Sequence, residues 1–143
     1  MHLLVSGPGV ITAAVLAPAN EADRTIAPEL LADLTGWALG DTGYWSPALR
    51  AELAPGGLEL LAPPRGKRVG ARPWPVRLVQ TRRRIETVLA QLTERYHAKR
   101  VRARDEWHLI VRWLRKLASH TMAVLLCQRA GLAPLAFARL LIT

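Results

Sequence analysis

The first part of the chain alternates short apolar runs with turn-forming residues, while the last part carries long stripes at helical spacing. Residues 2–6 are an apolar run closed by Gly7-Pro8-Gly9, and residues 10–16 are a second run rich in β-branched side chains. Two such runs around a tight turn predict a hairpin. After Pro18-Ala19-Asn20, Asp23 or Thr25 is expected to cap a helix reaching about Leu34, with Ile26, Leu30, Leu31 and Leu34 on one face. Pro28 then falls in its first turn, where a missing N–H costs little, and Gly36 ends it. Residues 37–40 read as a short strand closed by Asp41. Ser46-Pro47 reads as a cap with proline at the first helical position, opening a helix to about Leu53. Gly56-Gly57 breaks it, and residues 58–62 form another strand ended by Pro63-Pro64.

A Gly-, Pro- and Arg-rich segment over residues 65–75 is expected to be a mobile basic loop. A long helix is predicted over 76–97, striped by Ile85, Val88 or Leu89, Leu92 and Tyr96. A last long helix is predicted over 106–129 with Gly131 as its stop. Its expected apolar side is Trp107, Ile110, Val111, Leu114, Leu117, Thr121, Val124 and Leu125, and a short helix is expected after Pro134. The order suits a single α/β domain spanning residues 1–143, with one small mixed sheet flanked by helices.

Composition narrows the function. Of 143 residues half are hydrophobic, which is enough to fold one core. The formal charge of +9 is unevenly spread. Residues 1–64 hold two arginines against seven acids, a balance of −5, whereas residues 65–104 hold thirteen Lys and Arg against two acids, a balance of +11. A block this basic points to a polyanion partner, most simply nucleic acid. Cys127 is the sole cysteine, which excludes an internal disulfide and fits a reducing, cytoplasmic compartment. The four histidines lack zinc spacing, and no window is long and apolar enough for a signal peptide core or a membrane span.

Two acids stand out by position. Asp41 follows a predicted strand, at the strand end where α/β folds bind ligands, and Gly40 and Gly43 flank it. Its plain alternative is an Asx turn. Glu86 follows the triplet Arg82-Arg83-Arg84, and its plain alternative is a surface ion pair with Arg82 or Arg83, worth roughly 0.3–0.5 kcal/mol. Taken together, an acid at a strand end and an acid on a covering helix suit a hard divalent cation, Mg²⁺ or Mn²⁺, for phosphoryl transfer. The arginines beside Glu86 would then neutralise phosphates.

Several segments, in order, resemble the carboxyl-terminal part of the DDE-type transposases of bacterial insertion sequences. They are His2-Leu3-Leu4-Val5 with Gly9-Val10-Ile11, then Pro18 to Asp23, Glu29-Leu30-Leu31, Gly40-Asp41-Thr42-Gly43-Tyr44, the stretch from Leu58 to Arg65, and Arg84-Ile85-Glu86-Thr87-Val88 with Gln91-Leu92. The resemblance implies a ribonuclease H-like fold and metal-dependent cleavage and joining of DNA strands. It implies that Asp41 and Glu86 are the second and third catalytic carboxylates and hold the metal. Arg82 matches an arginine that some of these enzymes place before the glutamate, while Val79 and Thr93 depart from the family pattern. Asp23 is read as a turn residue with no catalytic part.

The first catalytic aspartate and its strand belong upstream of the segment at His2, so the chain is expected to be an amino-terminally truncated, inactive copy. The DNA-binding residues expected from the charge are Arg65, Lys67, Arg68, Arg72, Arg82, Arg83 and Arg84. The expected partners are DNA, both element ends and target, and a second copy or a full-length transposase in a mixed assembly, in the bacterial nucleoid. A non-catalytic nucleic-acid-binding module regulating a full-length relative remains the alternative, and a basic helical protein unrelated to transposition a third. Trp74, within the basic loop, is a candidate for base stacking.

Overall fold

The computed structural model describes residues 1–64 and 75–141. The expected basic loop, with Arg65, Lys67, Arg68, Arg72 and Trp74, lies outside the described residues. The elements run β1 (His2–Val5), β2 (Ile11–Val15), α1 (Asp23–Leu30), β3 (Gly36–Leu39), α2 (Pro47–Leu53), β4 (Leu58–Leu61), α3 (Val76–Glu94) and α4 (Glu106–Arg129), with short 3-10 turns between them. The class is mixed α/β, as expected. The single mixed sheet is not found: among the described residues there are two separate two-stranded sheets, β1 with β2 and β3 with β4. Strands of four or five residues offer few ladder bonds, and each pair is completed by helices instead.

The chain forms two compact units, one of Met1–Leu4 and Ala13–Arg82, the other of Val5–Thr12 and Arg83–Thr143. The first unit is organised by β3 and β4, which pair in parallel with Gly36 opposite Leu58 and Leu39 opposite Leu61. Parallel neighbours need a crossover, and α2 supplies it. Ser46 caps α2 by accepting from the Leu49 N–H at 3.3 Å, with Pro47 at the first helical position as the sequence predicted. Ala38, Leu58 and Leu60 turn inward from the sheet and meet Ala27, Leu30 and Leu31 from the α1 region and Leu49 from α2.

Helix α1 departs from expectation in three respects. Its N-cap is Ala22, with no side-chain cap bond, and Asp23 is the first helical residue. The helix ends at Leu30 instead of Leu34, and Pro28 lies inside it, beyond the first turn. The cause is tertiary: burial of Ile26, Ala27 and Leu30 fixes the start and offsets the bond that Pro28 cannot make. Asp23 is also engaged elsewhere, as described below.

The second unit is built on α3 and α4. On α3 the buried residues are Val88 and Leu92, which settles the Val88 or Leu89 choice, since Leu89 is exposed. On α4 the boundaries agree with the sequence reading, and the inward face agrees in part, at Leu117 and Val124. Leu117, His120, Val124 and Cys127 are buried, while Trp107 is 70% exposed, Leu114 58% and Leu125 42%. The helix is apolar over a wide arc, and apolarity alone does not tell which side turns inward. The buried line includes a histidine and a cysteine that a hydrophobic stripe passes over. Asp105 caps α4 by accepting from the His108 N–H at 2.9 Å. At its other end Leu132 N–H donates to Cys127 O at 2.9 Å and Gly131 N–H to Gln128 O at 3.1 Å, the paired bonds of a Schellman stop.

The hairpin tip belongs to this unit. Ser6 N–H donates to Val10 O at 2.8 Å and Gly9 N–H to Ser6 O at 2.9 Å. Gly9 has φ +95°, and a Cβ there would lie 2.8 Å from a Leu135 methyl, so a side chain would strain the backbone and displace Leu135. His120 holds the rest together. Its Nε2–H donates to Gln91 Oε1 at 3.1 Å, and Gln91 Nε2–H donates on to Leu135 O at 2.8 Å. Tyr96 and Phe137 meet the imidazole edge-on at 6.0 and 5.1 Å. His120 Nδ1 is buried without a hydrogen-bond partner among the described residues.

Burial holds the His120 imidazole below its usual pKa, because a buried imidazolium would gain a second N–H with nothing to accept it. The unfolded chain therefore takes up the proton first, and the stability due to neutral His120 is present above about pH 6.5 and lost as pH falls below it. Urea midpoints at pH 7.5, 6.5 and 5.5 are expected to fall more steeply for the parent than for His120→Phe, whose absolute stability is lower. Equal slopes would show that the imidazole is not buried neutral. Val124→Ala, at a position with no exposed surface, is expected to cost about 2 kcal/mol through the methyl groups lost and the cavity left.

Candidate metal and DNA site

The candidate site in the first unit starts where β3 stops. Gly40 N–H donates to Leu61 O at 2.9 Å, which carries the β3–β4 ladder one residue further. Tyr44 packs over Gly40 so closely that a Cβ at Gly40 would lie 2.9 Å from Tyr44 Cβ. Asp41 between them is exposed and caps the 3-10 turn Thr42–Tyr44, with Oδ1 accepting from the Gly43 N–H at 2.7 Å. The Asx turn weighed as the plain alternative is thus present. It engages one carboxylate oxygen and fixes the direction of the other.

Asp23, read from sequence as a turn residue, is brought to the same place. A Cβ at Gly43 would lie 1.9 Å from Asp23 Oδ2 and 3.0 Å from Asp41 Oδ1. The two carboxylates therefore flank one small space, and glycine at position 43 leaves room for both. His2 Nδ1 lies 2.9 Å from the Tyr44 hydroxyl and 3.6 Å from Asp23 Oδ1, and the two rings meet edge to face at 6.4 Å. Burial first, then the negative charges of Asp23 and Asp41, push the Tyr44 phenol up to about 12. The proximity of Asp23 and Asp41 had no sequence signal, because 17 intervening residues separate them.

Glu86 and most of the arginine triplet belong to the second unit. Glu86 is exposed on α3, one turn beyond Arg82 and Arg83. The expected surface ion pair is absent: among the described residues Glu86 joins neither arginine, and the ion pairs found involve His2, Arg104 and His108. Arg82 and Arg83 are exposed. Arg84 has a second task, since its guanidinium donates to the Gly7 carbonyl at the hairpin tip. Among the described residues no group of three or more His, Cys, Asp and Glu converges as a metal site. The donors present are carboxylate oxygens, the chemistry that a hard divalent ion takes.

The family model of the transposase DDE domain matches residues 1–106. The chain belongs to this family. The DDE domain match takes in Asp23, Asp41, Glu86 and the arginine triplet, and it stops at the first residue of α4. DDE transposases generally use a divalent metal ion and act on DNA. No match was found among curated proteins or among solved structures. Among the described residues of the DDE domain chain, no helix is long and apolar enough to cross a membrane.

Removing either negative charge beside Tyr44 should ease loss of its phenolic proton. Asp23→Asn is expected to lower the Tyr44 titration from about 12, and Asp41→Asn to lower it by less, read as tyrosinate absorbance at 295 nm. Two unchanged titrations would place the carboxylates away from the phenol.

Proposed function

We propose that this DDE domain serves DNA transposition as the part of a metal-dependent strand-cleaving and strand-joining module, on a ribonuclease H-like fold, that carries the second and third catalytic carboxylates. The observation that carries the reading is Asp41, an exposed carboxylate at the carboxyl edge of a parallel β-α-β pair, the position at which such sheets bind ligands. Asp41 and Glu86 would hold Mg²⁺ or Mn²⁺. The ion, when bound, would polarise the phosphoryl group and stabilise charge on the attacking and leaving oxygens.

The chain's own residues have separate parts in this reading. The Asx turn aims Asp41 and limits its freedom, which favours a fixed geometry at the reacting phosphate. Arg82 and Arg83, exposed and without carboxylate partners among the described residues, face DNA phosphates. Arg84 fixes the hairpin tip with one N–H and keeps others for phosphate. Arg65, Lys67, Arg68 and Arg72 add charge to the same stretch of sequence. The partners are element ends and target DNA.

The test uses labelled duplex DNA with Mg²⁺ or Mn²⁺. Asp41→Ala and Glu86→Ala are each expected to lower cleavage at least about a hundredfold while leaving duplex affinity within about twofold. A readout independent of activity is Mn²⁺ titration by NMR, which should broaden signals around both Asp41 and Glu86. Broadening at one alone removes the shared-ion reading. Duplex binding without metal-dependent cleavage by the parent chain would instead support the non-catalytic binding module.

A further inference from the structure

A concavity of about 450 Å³ opens on the second unit, between the segment leading into α4 and the first two turns of that helix. Arg102, Ala103, Arg104, His108 and Arg112 line it. It lies at the end of the family match and beyond, and none of its residues belongs to the metal site or to the arginines already assigned to DNA. We propose that this concavity is a phosphate-binding site, filled by the backbone of a nucleic acid.

The argument starts from how the concavity is held. The Arg112 guanidinium donates to the Arg102 backbone carbonyl, so the linker is drawn onto α4 by one arginine at the residue that carries another. Three guanidinium groups are thereby gathered around one space. The lining itself holds no carboxylate among the described residues, and Asp105 lies beside it. Asp105 accepts from Arg104 Nε at 3.2 Å and lies 2.6 Å from His108 Nδ1. Asp105 also takes the His108 N–H, and these bonds hold its carboxyl below the usual range. The helix N-terminus is therefore already capped, and attraction for an anion comes from the side chains.

Arg102 and Arg112 have no carboxylate partner among the described residues. Bringing like charges together without a counter-ion is unfavourable, and an anion seated between them reverses the sign of that term. Guanidinium groups match the paired non-bridging oxygens of a phosphate in a way that ammonium groups do not. The space is open enough for a phosphodiester to enter from the side. Lys99 and Arg100, both exposed in the preceding 3-10 turn, add positive charge just before this segment in sequence. A free phosphate ester shares this chemistry, so the test separates the two sources.

The structural part rests on the concavity alone, and only its second arm rests on the DNA-binding reading above. In the first arm, inorganic phosphate is titrated into the full chain and the arginine Nε–H signals are followed by NMR. Arg102, Arg104 and Arg112 are expected to shift together and saturably, ahead of Arg82 and Arg83, and Arg102→Gln should weaken the response at the other two. That variant leaves the Arg102 carbonyl, and hence its bond from Arg112, in place. Absence of a saturable shift, or equal shifts at every arginine, would overturn the site. In the second arm, duplex affinity is measured against salt. Arg102→Gln should reduce the salt slope by about 0.9, and the Arg102→Gln/Arg112→Gln pair by about 1.8, the amount for one and two lost phosphate contacts. An unchanged slope with the phosphate response intact would overturn the nucleic-acid backbone as occupant and leave a free phosphate ester. Should the parent not bind duplex while Arg82→Gln and Arg83→Gln also change nothing, the DNA-binding reading fails, and the first arm still decides the site.

Discussion

The parallel pairing of β3 with β4 is the constraint from which the rest of the first unit follows. Two strands running the same way cannot be joined by a turn, so the chain between them must leave one end of the sheet and return to the other. Asp41 is the residue at which it leaves, and α2 is the return path. Leucines that cover the sheet from α1 and α2 make this arrangement worth keeping, since each buried side chain contributes about 1.5–3 kcal/mol. The ladder, continued to Gly40, delivers a carboxylate to the edge with little freedom left in its backbone.

Opposite electrostatic environments are then built on the two units. Around Gly43 the chain tolerates two carboxylates and a phenol so reluctant to ionise that it stays neutral under ordinary conditions. Around α3 and the entry to α4 it gathers guanidinium groups, many without partners among the described residues. Each concentration of like charge works against folding. DDE transposases generally use a divalent cation and act on a polyanion, DNA.

Much of the architecture could be read from the sequence because it rests on local signals. Ser46-Pro47 marks a helix start in any context. The turn at Gly7-Pro8-Gly9 and the stop at Gly131 are equally local. What escaped depends on partners distant in sequence. Nothing near Asp23 shows that its carboxylate meets the far side of Gly43. The wide apolar arc of α4 concealed which of its sides turns inward, and the true inward line passes through His120. Asp41 was visible as a strand-end acid, whereas the missing Glu86 ion pair was not, since spacing permits a contact without requiring one.

The packing of Gly9 against Leu135 bears on how the protein is made. Both belong to one compact unit, yet 125 intervening residues separate them, so one emerges from the ribosome well before the other. The hairpin tip must wait, its apolar neighbour Val10 uncovered, until the segment carrying Leu135 arrives to close over it. Assembly that joins residues so far apart in sequence is slow and leaves the nascent chain open to misassociation in the interval.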